Sequence, residues 1–232
     1  MRYLLPALCL MACAVRAETA PAPRRAPEFA VRRLPGAEFL IIDARARPGT
    51  GLQSVAAHLE HFCDIPFHVV GKPAAAGETG LALARAALAR PGEVGAVVVV
   101  AEEGPAAPRL ALYPEDRFGV INATRLADGA DAKTAQARIE KEVWRTVAFI
   151  AGGLTSEEPC VVKTVLASAD LDALPASTFS PNVAGKINKA AERLGLARIE
   201  RASYRAACLQ GWAPPPTNAA QQAIRNSVNT GK

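Results

Sequence analysis

All three histidines of the chain lie close together, in a stretch that also carries a cysteine and an aspartate. His58 and His61 are three positions apart, and residues at that spacing share one face of a helix, so two imidazoles could contact one metal ion. The apolar face of the same predicted helix is made by other residues, and no third ligand follows at a fitting spacing. We therefore interpret this pair, with His68, Cys63 and Asp64 nearby, as an exposed polar surface.

Other side chains able to do acid–base chemistry are spread along the chain. Four aspartates fall in predicted loops or at the ends of predicted strands, at Asp43, Asp64, Asp116 and Asp131. At such positions aspartate commonly caps a helix or forms a turn. The sequence has no G-x-S-x-G nucleophile elbow, and residues 71–77 lack the glycine spacing of a phosphate-binding loop. An enzyme of another chemistry would require loop residues such as Asp116, Asn122 and Arg145 to converge, an alternative that the sequence leaves open.

The stretch 138–155, RIEKEVWRTVAFIAGGLT, has the period of a helix. Its apolar side chains recur every three to four residues, at Ile139, Val143, Val147 and Ile150 or Ala151. Glu142 lies one turn from Arg138 and from Arg145, so it can pair with either arginine. Two glycines, at positions 152 and 153, then predict the end of the helix.

The elements before this helix alternate between strand and helix. Strands are predicted at residues 37–44, 65–70 and 95–101, and helices at 52–62 and 79–90. The valine run at 95–101 is typical of a central strand that is covered on both faces. Residues 110–113 and 118–122 predict an antiparallel edge hairpin. The predicted fold class is therefore α/β, with a mixed, mostly parallel twisted sheet and flanking helices.

The C-terminal part is predicted to be mainly helical. Residues 161–167 are expected to form a short strand or turn, and a loop follows at 170–180. Two helices are predicted at 181–194 and 199–209, and a short polar helix at 219–228 follows a proline-rich corner.

Composition places the chain among globular proteins and argues against nucleic-acid binding. Its 232 residues are 50% hydrophobic and 21% charged, which is enough for a core of ordinary size. The net charge is +5, and much of the excess lies near the N-terminus, at Arg24, Arg25, Arg32 and Arg33. Aromatic residues make up only 5% of the chain and do not alternate with arginine, so we expect no nucleic-acid partner.

The N-terminal residues 1–17, MRYLLPALCLMACAVRA, have the pattern of an export signal. A short apolar run follows Arg2, and the small-residue site at 15–17 predicts cleavage behind Ala17. The mature chain is then periplasmic or extracellular. The alternative is lipidation, because residues 10–13 resemble a bacterial lipobox, which would anchor the chain to a membrane through Cys13.

The remaining sequence is divided into three predicted parts. Residues 18–35 are rich in proline, alanine and arginine and predict a linker, residues 36–212 a single α/β domain, and residues 213–232 a tail. Beyond the export signal, no stretch is long and apolar enough to cross a membrane.

Three cysteines remain after removal of the signal, at Cys63, Cys160 and Cys208. In an exported protein an odd number implies one bridge and one thiol, or three buried thiols. The pair that we expect to be bridged is Cys160 with Cys208, and Cys63 is expected at the buried end of its helix.

The element order and several stretches of sequence resemble the catalytic domain of metzincin-type zinc peptidases, and within that clan the archaemetzincins. The stretches are GAVVVVAEEG at 95–104, LALYPEDRFGVINATRL at 110–126, KEVWRTVAFIAGG at 141–153, CVV at 160–162 and FSPNVAGKINKAAERLGL at 179–196. The resemblance covers roughly residues 37–197. It implies a metzincin-like fold in which 141–153 is the active-site helix and 160–162 belongs to the later cysteine–methionine turn.

The zinc-binding motif of that family is degenerate in this chain. The family helix reads H-E-x-x-H-x-x-G-x-x-H, where three histidines hold zinc and the glutamate is the general base. Alignment on the motif glycine at 152 places Arg145 at the first histidine, Thr146 at the glutamate, Phe149 at the second histidine and Thr155 at the third. All three ligands and the base are replaced, so we expect no catalytic residue, no bound metal and no cofactor.

Two further departures point the same way. The turn methionine is missing, because the only methionines are Met1 and Met11. The cysteine-rich second zinc site of the family keeps at most Cys160.

The sequence therefore predicts an exported, non-catalytic pseudo-peptidase that binds a peptide or protein, or has a structural role, through the former active-site cleft. Arg145 could there pair with a carboxylate such as a peptide C-terminus. The alternative for Arg145 is an internal ion pair with Glu142, which we favour. Competing functions are a hydrolase of different chemistry and an active metallopeptidase with an unrecognised zinc site.

Overall fold

The computed structural model describes residues 29–49, 51–153, 155–158, 160–175 and 178–230. They fall into two compact units, a larger one at Val31–Arg201 and a smaller one that includes residues 29–30 and 202–230. The predicted division between a domain at 36–212 and a tail at 213–232 stays a prediction. The predicted export signal, with the alternative lipidation site at Cys13, lies outside the described residues.

A five-stranded sheet forms the centre of the larger unit, in the order β3-β2-β4-β6-β5. The seven strands of the described chain are β1 Phe29–Leu34, β2 Glu38–Asp43, β3 Phe67–Gly71, β4 Val94–Ala101, β5 Leu110–Tyr113, β6 Phe118–Asn122 and β7 Arg198–Ser203. In the central sheet β2, β3, β4 and β6 are parallel, and β5 runs antiparallel to β6 at one edge. The predicted mixed sheet with its edge hairpin is confirmed.

Helices cover both faces of this sheet. The seven α-helices of the described chain are α1 Gly51–Cys63, α2 Gly80–Leu88, α3 Ala123–Ala127, α4 Ala132–Ile150, α5 Pro181–Arg193, α6 Tyr204–Leu209 and α7 Ala219–Thr230. One sheet face packs against α1, α4 and α5, while α2 packs on the other. Every residue of the valine-rich β4 is buried, as expected for a strand covered on both faces. Within the described chain, no helix combines the length and apolarity that membrane crossing needs.

Two predicted elements are wrong. The predicted linker at 18–35 overlaps β1, and the predicted helix at 199–209 is the strand β7 followed by the short helix α6. β1 and β7 pair with each other in a two-stranded sheet, to which the ion pair between Arg32 and Glu200 contributes at 2.6 Å. Along β1, exposed residues alternate with less exposed ones, a period-two pattern that the proline and arginine content of 18–35 obscured.

The smaller unit has its own apolar cluster. Ala30, Tyr204 and Ala207 are buried, and Trp212 and Ile224 pack against them. The Tyr204 hydroxyl donates a hydrogen bond of 2.7 Å to the carbonyl of Pro214. The predicted polar helix at 219–228 is confirmed as α7.

Candidate functional site

Helix α4 is the element on which the candidate site is built. Its first turn is capped by Asp131, whose carboxylate accepts a hydrogen bond of 2.7 Å from the Thr134 amide. At its end Gly152 has a φ of +78°, the left-handed conformation that glycine adopts without strain. The buried residues of the helix are apolar, polar and charged. The three charged ones are Arg138, Glu142 and Arg145.

Arg145 is held by other groups of the described chain. Its side chain is 4% exposed, and its Nε lies 2.8 Å from Oε2 of Glu142. Its Nη1 donates hydrogen bonds to the carbonyl of Val161, at 2.8 Å, and to the carbonyl of Lys163. Burial lowers the pKa of Arg145, an effect that the carboxylate of Glu142 opposes. Because arginine remains protonated in proteins, the structure contains a buried cation whose partners are internal.

Glu142 joins two arginines. Its side chain is 0% exposed, and its Oε1 accepts a hydrogen bond of 3.1 Å from Nε of Arg109, the residue before β5. Arg109 also donates from Nη2 to the carbonyl of Val165, at 3.2 Å. We call Arg109, Glu142 and Arg145 the buried triad, after Glu142 and Arg145; the Arg109 side chain is 18% exposed. The triad carries two positive charges and one negative charge, and three backbone carbonyls accept hydrogen bonds from it.

The other degenerate motif positions also face protein rather than a metal. The Thr146 hydroxyl donates to the backbone carbonyl of Glu142 at 2.7 Å. The ring of Phe149 lies 5.3 Å from the guanidinium carbon of Arg145, within the range of a cation–π contact. Thr155 is exposed beyond the end of the helix.

These side chains do not fit a zinc ion. Zinc in proteins takes thiolate, imidazole or carboxylate ligands, whereas a guanidinium has only donors and a phenyl ring has no lone pair. Among the residues that the structure describes, no group of three or more histidine, cysteine, aspartate or glutamate side chains could hold a metal ion.

Two more basic side chains of α4 contact the segment that follows it. Arg138 donates to both carboxylate oxygens of Asp172, at 2.9 and 2.7 Å, and to the carbonyls of Leu126 and Asp128. Lys141 donates to the carbonyl of Leu171 at 2.7 Å. Glu142 therefore pairs with Arg145, one of its two predicted partners, while Arg138 has a partner of its own.

The histidines lie where the sequence predicts an exposed polar surface. His58 and His61 are exposed on α1, and His68 lies 4.0 Å from Glu38 on a neighbouring strand. Cys63 is buried at the end of α1, as predicted, and burial raises the pKa of its thiol to about 12.

The bridge expected between Cys160 and Cys208 stays a prediction. Cys63, Cys160 and Cys208 are all free thiols. Cys160 is buried in the apolar core of the larger unit beside Val161 and Val162, and Cys208 is half-buried in the smaller unit.

Of the loop residues considered for another chemistry, Asp116 lies apart from Asn122. Asp116 lies in the turn before β6, whereas Asn122 is the last residue of β6, and five strand residues span roughly 16 Å. Asn122 accepts hydrogen bonds from the amides of Thr124 and Arg125 and donates to two carbonyls, so it caps α3. Arg145 belongs to the buried triad.

A second polar site, which the sequence reasoning missed, lies at the carboxyl end of β2. Asp43 is 1% exposed and accepts two hydrogen bonds from Arg45, at 2.8 and 2.7 Å. Arg45 also donates to Gln136 of α4 at 3.1 Å, and it lines a cavity of about 380 Å³ together with Glu102. The strand order reverses between β2 and β4, and open α/β sheets bind ligands at such a point. The only sequence signal was an aspartate at a strand end.

Comparison with known proteins gives a match at the level of structure. Neither a protein-family model nor a curated protein sequence matches the chain. The crystal structure of archaemetzincin from Methanopyrus kandleri superimposes with a TM-score of 0.53 and 15% identity, covering 68% of this chain and 96% of that one. The fold is archaemetzincin-like.

A second structure supports the same fold. A zinc-dependent peptidase from Methanocorpusculum labreanum superimposes with a TM-score of 0.50 and 16% identity, covering 66% of this chain and 100% of the peptidase chain. The resemblance predicted from the sequence is thereby confirmed for the archaemetzincin-like fold. At such identities a shared fold does not carry activity with it, so the function has to be argued from the side chains.

Proposed function

We propose that the chain is an exported, non-catalytic protein with an archaemetzincin-like fold. The observation that carries this proposal is the state of Arg145. At the position that alignment gives to the first zinc ligand, its guanidinium is buried, paired with Glu142 and bonded to two backbone carbonyls.

The charge of the buried triad supports the proposal, and so does the chemistry of the aligned side chains. The buried triad has a net positive charge, so a zinc ion at this point of the fold would be repelled rather than bound. The positions aligned with the second and third ligands, Phe149 and Thr155, supply no imidazole, and Thr146 supplies no general base.

The triad also bears on the binding role predicted for the former cleft. The Arg145 side chain is only 4% exposed, so a ligand carboxylate would have little access to its guanidinium. The internal ion pair, the alternative that the sequence analysis favoured, is the one present. The role that we propose for the former zinc site is therefore structural, and it needs no peptide or protein ligand at Arg145.

The test combines metal analysis with an activity assay on the purified mature chain. After dialysis, the zinc content should be well below one equivalent, and a broad peptide library should remain uncut with or without added zinc. Stoichiometric zinc together with a cleavage activity that a chelator abolishes would overturn the proposal.

Export rests on the sequence of residues 1–17. N-terminal sequencing of the protein expressed in its own host should begin at Glu18. A lipid-modified Cys13 at the N-terminus would instead establish the lipidation alternative, and an intact Met1 would contradict export.

A second candidate function is the binding of a small zwitterion at the carboxyl end of β2. Arginine has five N–H donors, of which Asp43 and Gln136 use three in the described chain. Glu102 supplies an exposed carboxylate on the same cavity, and a neighbouring cavity of about 260 Å³ shares it. A molecule with one carboxylate and one ammonium, such as a free amino acid, matches this pair of charges.

Titration calorimetry with the free amino acids tests that candidate. Binding should weaken at least tenfold in Glu102→Gln, while Glu115→Gln, at an exposed hairpin turn elsewhere on the same sheet, should bind as the wild type does. Absence of heat for every amino acid would reject this function and would leave the non-catalytic assignment unaffected.

A further inference from the structure

The buried triad joins three separate parts of the larger unit. Arg109 precedes the edge strand β5, Glu142 and Arg145 stand on α4, and the accepting carbonyls belong to Val161, Lys163 and Val165. We propose that this triad takes the place of a metal ion as the internal cross-link that fixes residues 161–165 on α4. The inference rests on the proposed function, because it assumes that no metal occupies the site.

The geometry at Arg145 resembles coordination by a central ion. The planar guanidinium donates from Nη1 to the carbonyls of Val161 and Lys163, while its Nε lies in an ion pair 2.8 Å from the Glu142 carboxylate. Lysine could not reproduce this arrangement, because its ammonium is a single point at the end of a flexible chain. The arginine therefore fixes both the position and the direction of the two carbonyl groups.

Little else of regular structure holds this segment. Between the end of α4 and the 3-10 helix at Ser168–Ala173, the described residues contain neither helix nor strand. Val161 donates from its amide to the carbonyl of Thr178 at 3.1 Å, and Val162 accepts from the amide of Ser156 at 3.2 Å. Val161 and Val162 are buried in the main core, whereas Leu166 just beyond is largely exposed. The triad therefore bonds to the carbonyl of the buried Val161 and to those of the half-buried Lys163 and Val165, where the segment leaves the core.

The charge balance gives the proposal a signature that packing alone would not produce. Glu142 is the one carboxylate of the triad, so its replacement by glutamine leaves the buried guanidinium of Arg145 and the half-buried one of Arg109 without this counter-ion. Replacement of all three members by apolar residues removes the charges together, and exchanges of this kind are often neutral or stabilising. We therefore expect Glu142→Gln to loosen the segment more than the triple variant Arg109→Met/Glu142→Leu/Arg145→Met.

Trypsin reports on this segment directly, since the Lys163 carbonyl bonded to Arg145 belongs to a cleavable peptide bond. Cleavage after Lys186 in α5 of the same chain measures general opening. The matched control variant is Glu140→Gln, the same change on the same helix at a side chain whose carboxylate accepts only from Gln136 at 3.0 Å among the described bonds.

In Glu142→Gln, the initial rate of cleavage after Lys163 relative to Lys186 should rise about tenfold, and in the triple variant by less. Glu140→Gln should match the wild type. An unchanged ratio in Glu142→Gln, or a triple variant that opens as much as the single one, would overturn the cross-link.

Two further measurements, one on a milder variant and one on the wild type, keep the test decisive if Glu142→Gln does not fold. Arg145→Lys retains the charge and loses the fixed donors, so the ratio of cleavage after Lys163 to cleavage after Lys186 should rise about threefold. An unchanged ratio would again overturn the cross-link. A chelator should leave wild-type cleavage after Lys163 unchanged. If a chelator accelerated that cleavage, a metal would be holding the segment, and the proposed function would fail along with the inference.

Discussion

The Nε of Arg145 and Oε2 of Glu142 lie 2.8 Å apart, with 4% and 0% of the two side chains exposed. Arg109 approaches the other carboxylate oxygen at 3.1 Å. The glutamate is thus shared by two cations, so removal of the carboxylate and removal of one guanidinium should lower the stability by different amounts.

The first prediction concerns that difference. Glu142→Gln should destabilise the protein by about 3–5 kcal/mol, because the buried guanidinium of Arg145 and the half-buried one of Arg109 lose their shared carboxylate. Arg145→Met should cost less, about 1–3 kcal/mol, since Arg109 and Glu142 remain as a neutral pair. Urea unfolding followed by circular dichroism measures both.

Glu140→Gln is the control for this pair of variants, with an expected change within about 0.5 kcal/mol. If Arg145→Met proved more damaging than Glu142→Gln, the electrostatic account would be contradicted and packing around residue 145 would explain the result better.

Some parts of the fold and of the buried triad could be predicted from the sequence, and others could not. Helix α4 and the sheet order were predictable, because a 3.6-residue apolar period and a buried valine run leave few alternatives. The pairing of Glu142 with Arg145 was a local option at a three-residue spacing. Arg109 was not predictable, since it is separated from Glu142 by more than thirty residues and only the fold brings them together.

The errors have a physical origin as well. Residues 198–209 contain both a short alternating stretch and a short helical one, and the helical period was extended over the strand β7. In β1 the proline-rich surroundings concealed a six-residue strand that pairs with β7. Both strands are short, and their pairing is a long-range event that neither stretch specifies alone.

The second prediction follows from the close packing of β6 against α4. A Cβ added at Gly119 would lie 2.4 Å from Cγ2 of Thr146, which is far inside contact distance. Gly119→Ala should therefore destabilise the protein by about 1–3 kcal/mol. Thr146→Ser removes that methyl group but keeps the hydroxyl bonded to the Glu142 carbonyl.

The double variant decides whether this contact is the cause. Gly119→Ala/Thr146→Ser should recover a large share of the loss, with a coupling free energy of about 0.5–3 kcal/mol in chemical unfolding. Simple additivity of the two changes would show that the methyl group of Thr146 is not what excludes a larger residue at 119.

A third prediction concerns acid. Hydrogen bonds from Arg138 hold the pKa of Asp172 below its ordinary value, and backbone amides of Ala167 and Leu166 do the same for Asp170. As pH falls, the two carboxylates are protonated in the unfolded chain before they are protonated in the folded chain. The stability that they contribute is therefore present above their ordinary pKa, about 3.9. It is lost as pH falls through the lower pKa values of the folded state.

Thermal melts between pH 6 and pH 2 should show this loss beginning near about pH 4. Asp172→Asn should start from a lower melting temperature, because Arg138 keeps only its carbonyl partners, and should lose less on acidification. Equal pH dependence in wild type and variant would contradict the assignment to Asp172.

The last prediction distinguishes the three thiols. Burial raises the pKa of Cys63 to about 12, and Cys160 is buried beside Val161 and Val162, while Cys208 is half-buried. Because the thiolate is the reactive form, at pH 8 a thiol reagent should modify Cys208 first and Cys63 more slowly by at least tenfold. In the unfolded mature chain all three should react at similar rates.

Mass spectrometry of reagent-treated peptides identifies the modified positions, with Cys208→Ser as the control that removes the fast phase. A fast phase that survives this substitution would show that the apolar core around Cys63 or Cys160 opens on the timescale of the reaction. Absence of reaction at both Cys160 and Cys208 even after unfolding, with reaction restored by a reductant, would mean that the two are bridged in the exported protein.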